Sequence, residues 1–403
     1  MDATVDPSLA DPHVISTFYP AYDRLREEAP VLPVTMPGGG IQWLVSGYDN
    51  VFSVLRDRRF VMDARNAVPP DLLAAMPETP DWLRPFQESL IGTDPPDHTR
   101  LRRLAQPAFA PRLLERLRPR IEATADELID RVLPNGRMEF RGDYAFPLIT
   151  AVVSDFLGFP FEDRDRIAGW LSNLNTLAPA ADPTESERSM REFVAYLDGM
   201  VAEKRQRPAD DVFSELIRVE AEGDRLSEAE LLAMVMILLG GGFETTIVLL
   251  TIGTNALLEH PDQWALLRDR PELAPSAVEE LLRYAAGGAA AGRFVGEDVE
   301  VAGVTIPRGA SVMVLPASGN FDPTRFADPT RFDITREDTR HLSFGHGVHK
   351  CLGAPLARLE AEVAFTTLAR RLPGLRLADE PNNPDWRESF PYMQDLVRLV
   401  VSL

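Results

Sequence analysis

Apolar and polar positions alternate with a helical period over residues 22–29, and Pro30 ends that segment. Two apolar runs follow, Val31 to Met36 and Ile41 to Ser46, flanking Pro37-Gly38-Gly39-Gly40; a turn signal between such runs predicts a hairpin. From about 100 to 260 the period is helical almost throughout, with Pro, Gly and acid breaks at 133–136, 179–186 and 206–211. Val299 to Ile306 and Ala310 to Leu315, either side of Pro307-Arg308-Gly309, predict a second hairpin, and Ala354 to Leu372 predicts a further helix. Nothing in this pattern marks a linker. A mainly α chain with small β-sheets, folded as one domain over residues 1–403, is the economical expectation.

One predicted helix differs from the rest. Ser227-Glu228-Ala229-Glu230 forms a capping box, and the apolar run from Leu231 reaches Leu258 before Pro261, roughly 45 Å of helix. Such a run is long enough to cross a membrane. Yet Glu244 lies at its middle, where a charge costs about 3 kcal/mol in lipid, and no basic anchors flank it. A helix apolar all round is then expected to cross the core of a large soluble protein. Gly240-Gly241-Gly242 gives up about 3 kcal/mol of helix propensity. Either a tight helix crossing or a ligand needs that space, and Glu244-Thr245 sets a carboxylate and a hydroxyl beside it.

Composition narrows the function. The chain has 403 residues, 45% hydrophobic and 26% charged, with 62 acids against 42 Lys plus Arg and a net charge of -20. That balance excludes disorder and argues against nucleic acid as a partner of the whole surface. The acidic N-terminus has no secretory pattern, so a cytoplasmic protein is expected. Cys351 is the sole cysteine. This rules out an internal disulfide, a four-cysteine zinc site, a cysteine-held iron–sulfur cluster and two-cysteine attachment of haem.

Cys351 closes the segment Phe344-Gly345-His346-Gly347-Val348-His349-Lys350-Cys351-Leu352-Gly353, directly before the helix whose first turn holds Pro355. A helix N-terminus favours anionic sulfur, and Gly345, Gly347 and Gly353 allow close backbone approach. A buried core cysteine is the alternative. Phe344, Gly347, His349, Cys351 and Gly353 match the Phe-x-x-Gly-x-His/Arg-x-Cys-x-Gly loop of the cytochrome P450 superfamily, and the chain resembles its soluble bacterial members. Gly241-Gly242-Phe243-Glu244-Thr245 is similar to the family's oxygen-activation motif. Glu280-Leu281-Leu282-Arg283 resembles its Glu-x-x-Arg pair, with Arg331 expected to complete a buried Glu–Arg–Arg cluster. His98 and Arg102, four residues apart, resemble the residues that hold haem propionates, and Arg293 and His349 match the remaining propionate partners.

The resemblance implies a cytochrome P450 fold with the long helix over the haem, Cys351 as axial ligand of haem b, and Phe344, Gly241 and Gly353 against the cofactor. Glu244 and Thr245 would deliver protons. The implied activity is insertion of one atom of O2 into a C–H or C=C bond of a bulky apolar molecule, in secondary metabolism of the polyketide, macrolide or terpenoid kind. NAD(P)H electrons would arrive through a separate ferredoxin and ferredoxin reductase, since no flavin- or nicotinamide-binding segment is recognisable. Neither a nucleic acid nor a membrane is an expected partner, and a monomer is expected. Seven arginines between 98 and 121, against the single acid Glu115, offer a cationic patch for an acidic ferredoxin. Ala178 to Glu187 would form a lid over the substrate, and the Ala/Gly run 285–292 an open wall. Two other readings fit parts of the sequence. One is a haem sensor or carrier ligated by His346 or His349. The other is a haem-thiolate enzyme for oxidative coupling or peroxide-driven oxidation.

Overall fold

The computed structural model describes residues 19–36, 40–75, 87–173, 183–218, 225–285, 291–380, 383–390 and 393–403. Two compact units emerge. One comprises Met1–Glu78, Ser276–Cys351 and Trp386–Asp395; the other comprises Thr79–Pro275, Leu352–Asp385 and Leu396–Leu403.

The first unit is built on a five-stranded sheet in the order Val31–Thr35, Ile41–Val45, Ser311–Val314, Ala291–Val295, Phe60–Val61. The expected first hairpin forms, with Val31 opposite Val45, although residues 37–39 of its turn lie outside the described residues. Ile41–Val45 then runs parallel to Ser311–Val314, and Ala291–Val295 pairs antiparallel with the same strand, setting Arg293 opposite Val312. β-Branched residues suit such a half-buried pleat. Val45, Val295, Val312 and Val314 are all at most 0% exposed and pack with Val51, Ile306 and Phe326.

The second predicted hairpin is corrected. Val299–Val301 pairs with Val304–Ile306, inside the first apolar run, through a two-residue turn at Ala302 and Gly303 with φ of 50° and 77°. A turn with both central residues left-handed suits a two-residue hairpin, and Gly303 adopts that conformation without a Cβ penalty. Ser311–Val314 therefore belongs to the large sheet.

The expected buried cluster also forms, with one member changed. Glu280 and Arg283 have side chains 0% exposed and are joined at 2.7 Å and 2.9 Å. The third member is Arg336, whose Nε donates to Glu280 at 3.2 Å while its other nitrogens hold the carbonyls of Ala327, Asp328 and Arg331. Arg331 instead has a side chain 67% exposed, faces Asp333 at 3.4 Å, and contributes only its carbonyl. A buried carboxylate needs several donors, and Arg336 is the arginine whose fork reaches it.

In the second unit the long helix spans Glu228–Glu259. Its capping box is complete: Glu230 N–H donates to Ser227 Oγ at 3.2 Å, and Ser227 N–H donates to Glu230 Oε2 at 2.8 Å. It is long and apolar enough to cross a membrane, but 61% of its most apolar window is buried in the protein, as a core helix requires. It packs against Phe146–Leu157 and Ala354–Arg371. Arg164–Asn173 and Pro183–Gln206 follow the predicted helical segments. The first half of the proposed lid, 178–182, lies outside the described residues, while 183–187 is already helical. Residues 286–290 of the Ala/Gly run lie outside them as well. A three-stranded sheet, Arg137–Glu139 with Val400–Ser402 and Arg376–Leu377, closes this unit.

Candidate active site

In the first unit the cysteine loop is held by its own backbone. Cys351 N–H donates to the Phe344 carbonyl at 2.8 Å and Lys350 N–H to the Gly347 carbonyl at 3.2 Å, about a short 3-10 turn at Gly347–His349. Gly347 has a φ of 74°, and a Cβ there would lie 2.2 Å from the Leu55 carbonyl oxygen. Only glycine fits. The Cys351 side chain is exposed, which removes the buried-core reading of the lone thiol. His346 packs on Phe52 at 4.3 Å, and burial, then the charges of Arg56 and Lys350, lower its pKa. His349 and Phe344 are half-buried, the latter ring 5.7 Å from that of His341. Arg293 is 7% exposed and donates to the Gly292 carbonyl at 2.7 Å.

The second unit carries the remaining candidates. His98 and Arg102 lie one turn apart on the helix Asp97–Ala105. His98 is 1% exposed, and burial, then the Arg102 charge, lower its pKa against a weaker pull from Asp94. Gly353 caps the helix Ala354–Arg371 and accepts from Ala357 N–H at 3.0 Å. Midway along the long helix, Gly240, Gly241 and Thr245 are exposed although Leu239, Phe243 and Thr246 are buried. A Cβ on Gly240 or Gly241 would meet nothing within 4 Å, and one on Gly242 would touch Val153 at 3.7 Å. The glycines therefore border open space; a tight helix crossing does not explain them. Thr245 Oγ1 donates to the Gly241 carbonyl at 2.6 Å and Thr246 Oγ1 to the Gly242 carbonyl at 3.2 Å.

Three residues at this turn were not singled out by sequence. Arg141, in the wide π-type turn Arg141–Ala145, donates to Glu244 and, at 3.4 Å, to the Leu396 carbonyl. Thr246, 3% exposed, meets Glu360, which is 1% exposed on Ala354–Arg371. Glu360 had a readable signal, because it falls in phase with Leu356, Leu359 and Val363 on the apolar face of its helix. Arg141 had none.

The donor set fits a haem. Among the described residues no group of three or more His, Cys, Asp or Glu side chains gathers as a metal-ion site. One exposed thiolate-forming side chain at a helix start would suit an iron whose other ligands come from a macrocycle, and Arg293 and His349 of the same unit would suit its carboxylates.

A family model described as cytochrome P450 matches residues 171–384, which include Glu244, Thr245 and Cys351. The chain is 44% identical to cytochrome P450 CYP107DY1 of Priestia megaterium, over 91% of this chain and 90% of that one. It is 40% identical to 6-deoxyerythronolide B hydroxylase of Saccharopolyspora erythraea, over 96% of both. Among solved structures, the myxobacterial cytochrome P450 CYP267B1 in complex with myristic acid matches with a TM-score of 0.90 and 39% identity, covering 99% of each chain. The chain belongs to the cytochrome P450 family. It has the mainly α P450 fold with minor sheets and a long central helix, and it is a haem-thiolate monooxygenase that uses haem b and NAD(P)H electrons. External redox partners and a small-molecule substrate come with that membership.

The arginine patch of this P450 is less free than its sequence suggests. Arg116 meets Asp210 at 2.5 Å, Arg118 meets Glu115 at 2.9 Å and Glu362 at 3.0 Å, Arg120 meets Asp155 at 2.9 Å, and Arg100 pairs with Glu230. Four of the seven cations are thus matched by acids, each by at least one from a distant segment.

Proposed function

We propose that this P450 is a tailoring enzyme that hydroxylates or epoxidises a bulky, mostly apolar small molecule in secondary metabolism. The balance is substrate, O2, NAD(P)H and a proton giving oxygenated product, water and NAD(P)+. The observation that carries the reading is the exposed glycine turn of an otherwise buried helix, open beside Glu244 and Thr245. The long helix is apolar on either side of this opening, which suits an apolar ligand. The relatives' names agree, since one hydroxylates 6-deoxyerythronolide B and one was solved with myristic acid.

The Cys351 sulfur would hold the haem iron, His98, Arg102, Arg293 and His349 would pair with its propionates, and Phe344, Gly241 and Gly353 would lie against it. Haem with a thiolate ligand supplies dioxygen activation, because electron donation from sulfur favours O–O cleavage. Glu244 takes protons from solvent and passes them inward, and Thr245 Oγ1, leaving the Gly241 carbonyl, presents a proton at the glycine turn. The open turn excludes Cβ atoms that would narrow the substrate space. The 403 residues act as one P450 domain, in the cytoplasm, with a ferredoxin and its reductase as electron donors.

A spectral binding screen of macrolactones, terpenoids and fatty acids, myristic acid included, followed by product analysis by mass, tests the assignment. Ligands that shift the haem spectrum and gain one oxygen atom are expected. Exclusive turnover of small polar compounds, or peroxide as the sole product with every binder, would overturn it.

A further inference from the structure

Glu360 is almost wholly buried, 1% exposed, and no ion pair to it is found among the described residues. Its partner is Thr246, on the neighbouring central helix, while its second oxygen, Oε1, has no hydrogen-bond partner. An ionised carboxylate in that position would leave a charge desolvated with one oxygen bare, which is far costlier than a neutral acid. The proton inventory gives the same answer. A threonine hydroxyl has one proton, and that of Thr246 is donated to the Gly242 carbonyl at 3.2 Å. With that proton engaged and the carboxyl neutral, the arrangement that satisfies both groups has Glu360 donating to the Thr246 hydroxyl. Burial pushes the Glu360 pKa well above the ordinary carboxylate range.

The location gives this acid a task. Gly241 and Gly242 leave the central helix poor in propensity, and the hydroxyls of Thr245 and Thr246 grip their carbonyls from one turn away. Thr246 is fixed from outside the helix by Glu360, and Glu244 by Arg141. The Glu-Thr-Thr turn is thereby held from two sides, with Thr245 between the two anchors.

We propose that Glu360 is a positioning residue, a permanently protonated carboxylic acid that donates to Thr246 and so keeps the Gly241–Thr246 turn in register for Glu244 and Thr245. The inference rests on the assignment of Glu244 and Thr245 to proton delivery. It predicts that a donor at position 360, not a charge, is what matters.

Infrared spectroscopy of the haem-loaded protein tests it without a substrate. Wild type should show the C=O stretch of a neutral carboxyl, exchanging in deuterium oxide, that is missing in Glu360→Gln. In Thr246→Val the band should persist at a shifted frequency. With carbon monoxide on the reduced haem, the bound C–O stretch should match wild type in Glu360→Gln, whose amide still donates, and move in Glu360→Met. The proposal is overturned if Glu360→Gln removes no carboxyl band, if Thr246→Val leaves the band in place, or if Glu360→Met leaves the C–O stretch unmoved. Loss of the thiolate-type carbon monoxide spectrum in wild type would sink the P450 assignment instead, leaving the carboxyl bands to be read by themselves.

Discussion

Arg141 and Glu244, 103 residues apart, form an ion pair in which both side chains are largely buried, 14% and 17% exposed. A surface pair contributes little, but removing one partner here leaves a largely buried carboxylate without its cation. Arg141 is further tied to the Leu396 carbonyl, so the guanidinium cannot simply follow Glu244 into a new position. Arg141→Gln should cost about 2 kcal/mol in denaturant unfolding. It should also lower the fraction of NAD(P)H electrons recovered in product, whereas Arg141→Lys should restore part of both. Equal stability and equal coupling in Arg141→Gln would show that the pair positions nothing.

Thr245 hydrogen-bonds within its own helix, to Gly241 at 2.6 Å, and the bond survives no substitution that removes the hydroxyl. With a ligand from the binding screen, Thr245→Ala should keep NAD(P)H consumption within about 2-fold of wild type while diverting most electrons to peroxide. Thr245→Ser should recover product. Unchanged product yield per NAD(P)H in the alanine variant would remove Thr245 from proton delivery.

The Glu280–Arg283–Arg336 cluster separates two arginines that sequence alone confuses. Arg336→Ala withdraws one of the cations on a wholly buried carboxylate and should destabilise by about 3 kcal/mol. Arg331→Ala, at an exposed side chain, should change stability by less than about 0.5 kcal/mol. Urea unfolding of the two variants checks the order; the reverse order would return the role to Arg331.

Glu360 also leaves a signature in the pH dependence of stability. Its pKa is raised in the folded protein by burial, so between the unfolded value of about 4.3 and the higher folded value the native state binds the extra proton and stability falls as pH rises. Glu360→Gln removes this effect. The stability of the glutamine variant relative to wild type should therefore grow with pH above about 5, by up to about 1.4 kcal/mol per unit. A difference independent of pH from 5 to 8 would mean that Glu360 is ionised in the folded protein.

What the sequence disclosed and what it hid divide along locality. The Ser227–Glu230 capping box, the first hairpin and the helix after Cys351 are written in neighbouring residues, and each stands where the pattern puts it. The second hairpin was misplaced because Pro307-Arg308-Gly309 is the louder turn signal, whereas the Ala302-Gly303 turn depends on φ values that no pattern displays. Arg336 was hidden by the repeated Asp-Pro-Thr-Arg-Phe segments, and choosing among nearby arginines requires knowing which fork reaches Glu280. The acids that match Arg116, Arg118 and Arg120 arrive from distant segments, as does Arg141 at Glu244. Long-range charge pairing has no period to read.

The ferrous protein with carbon monoxide gives the most direct reading of the central claim. Ligation by the Cys351 sulfur predicts the strongly red-shifted Soret band of a thiolate-bound haem, and its loss in Cys351→Ser. A Soret band at the imidazole-type position, unchanged by that substitution, would place a histidine on the iron and contradict the account.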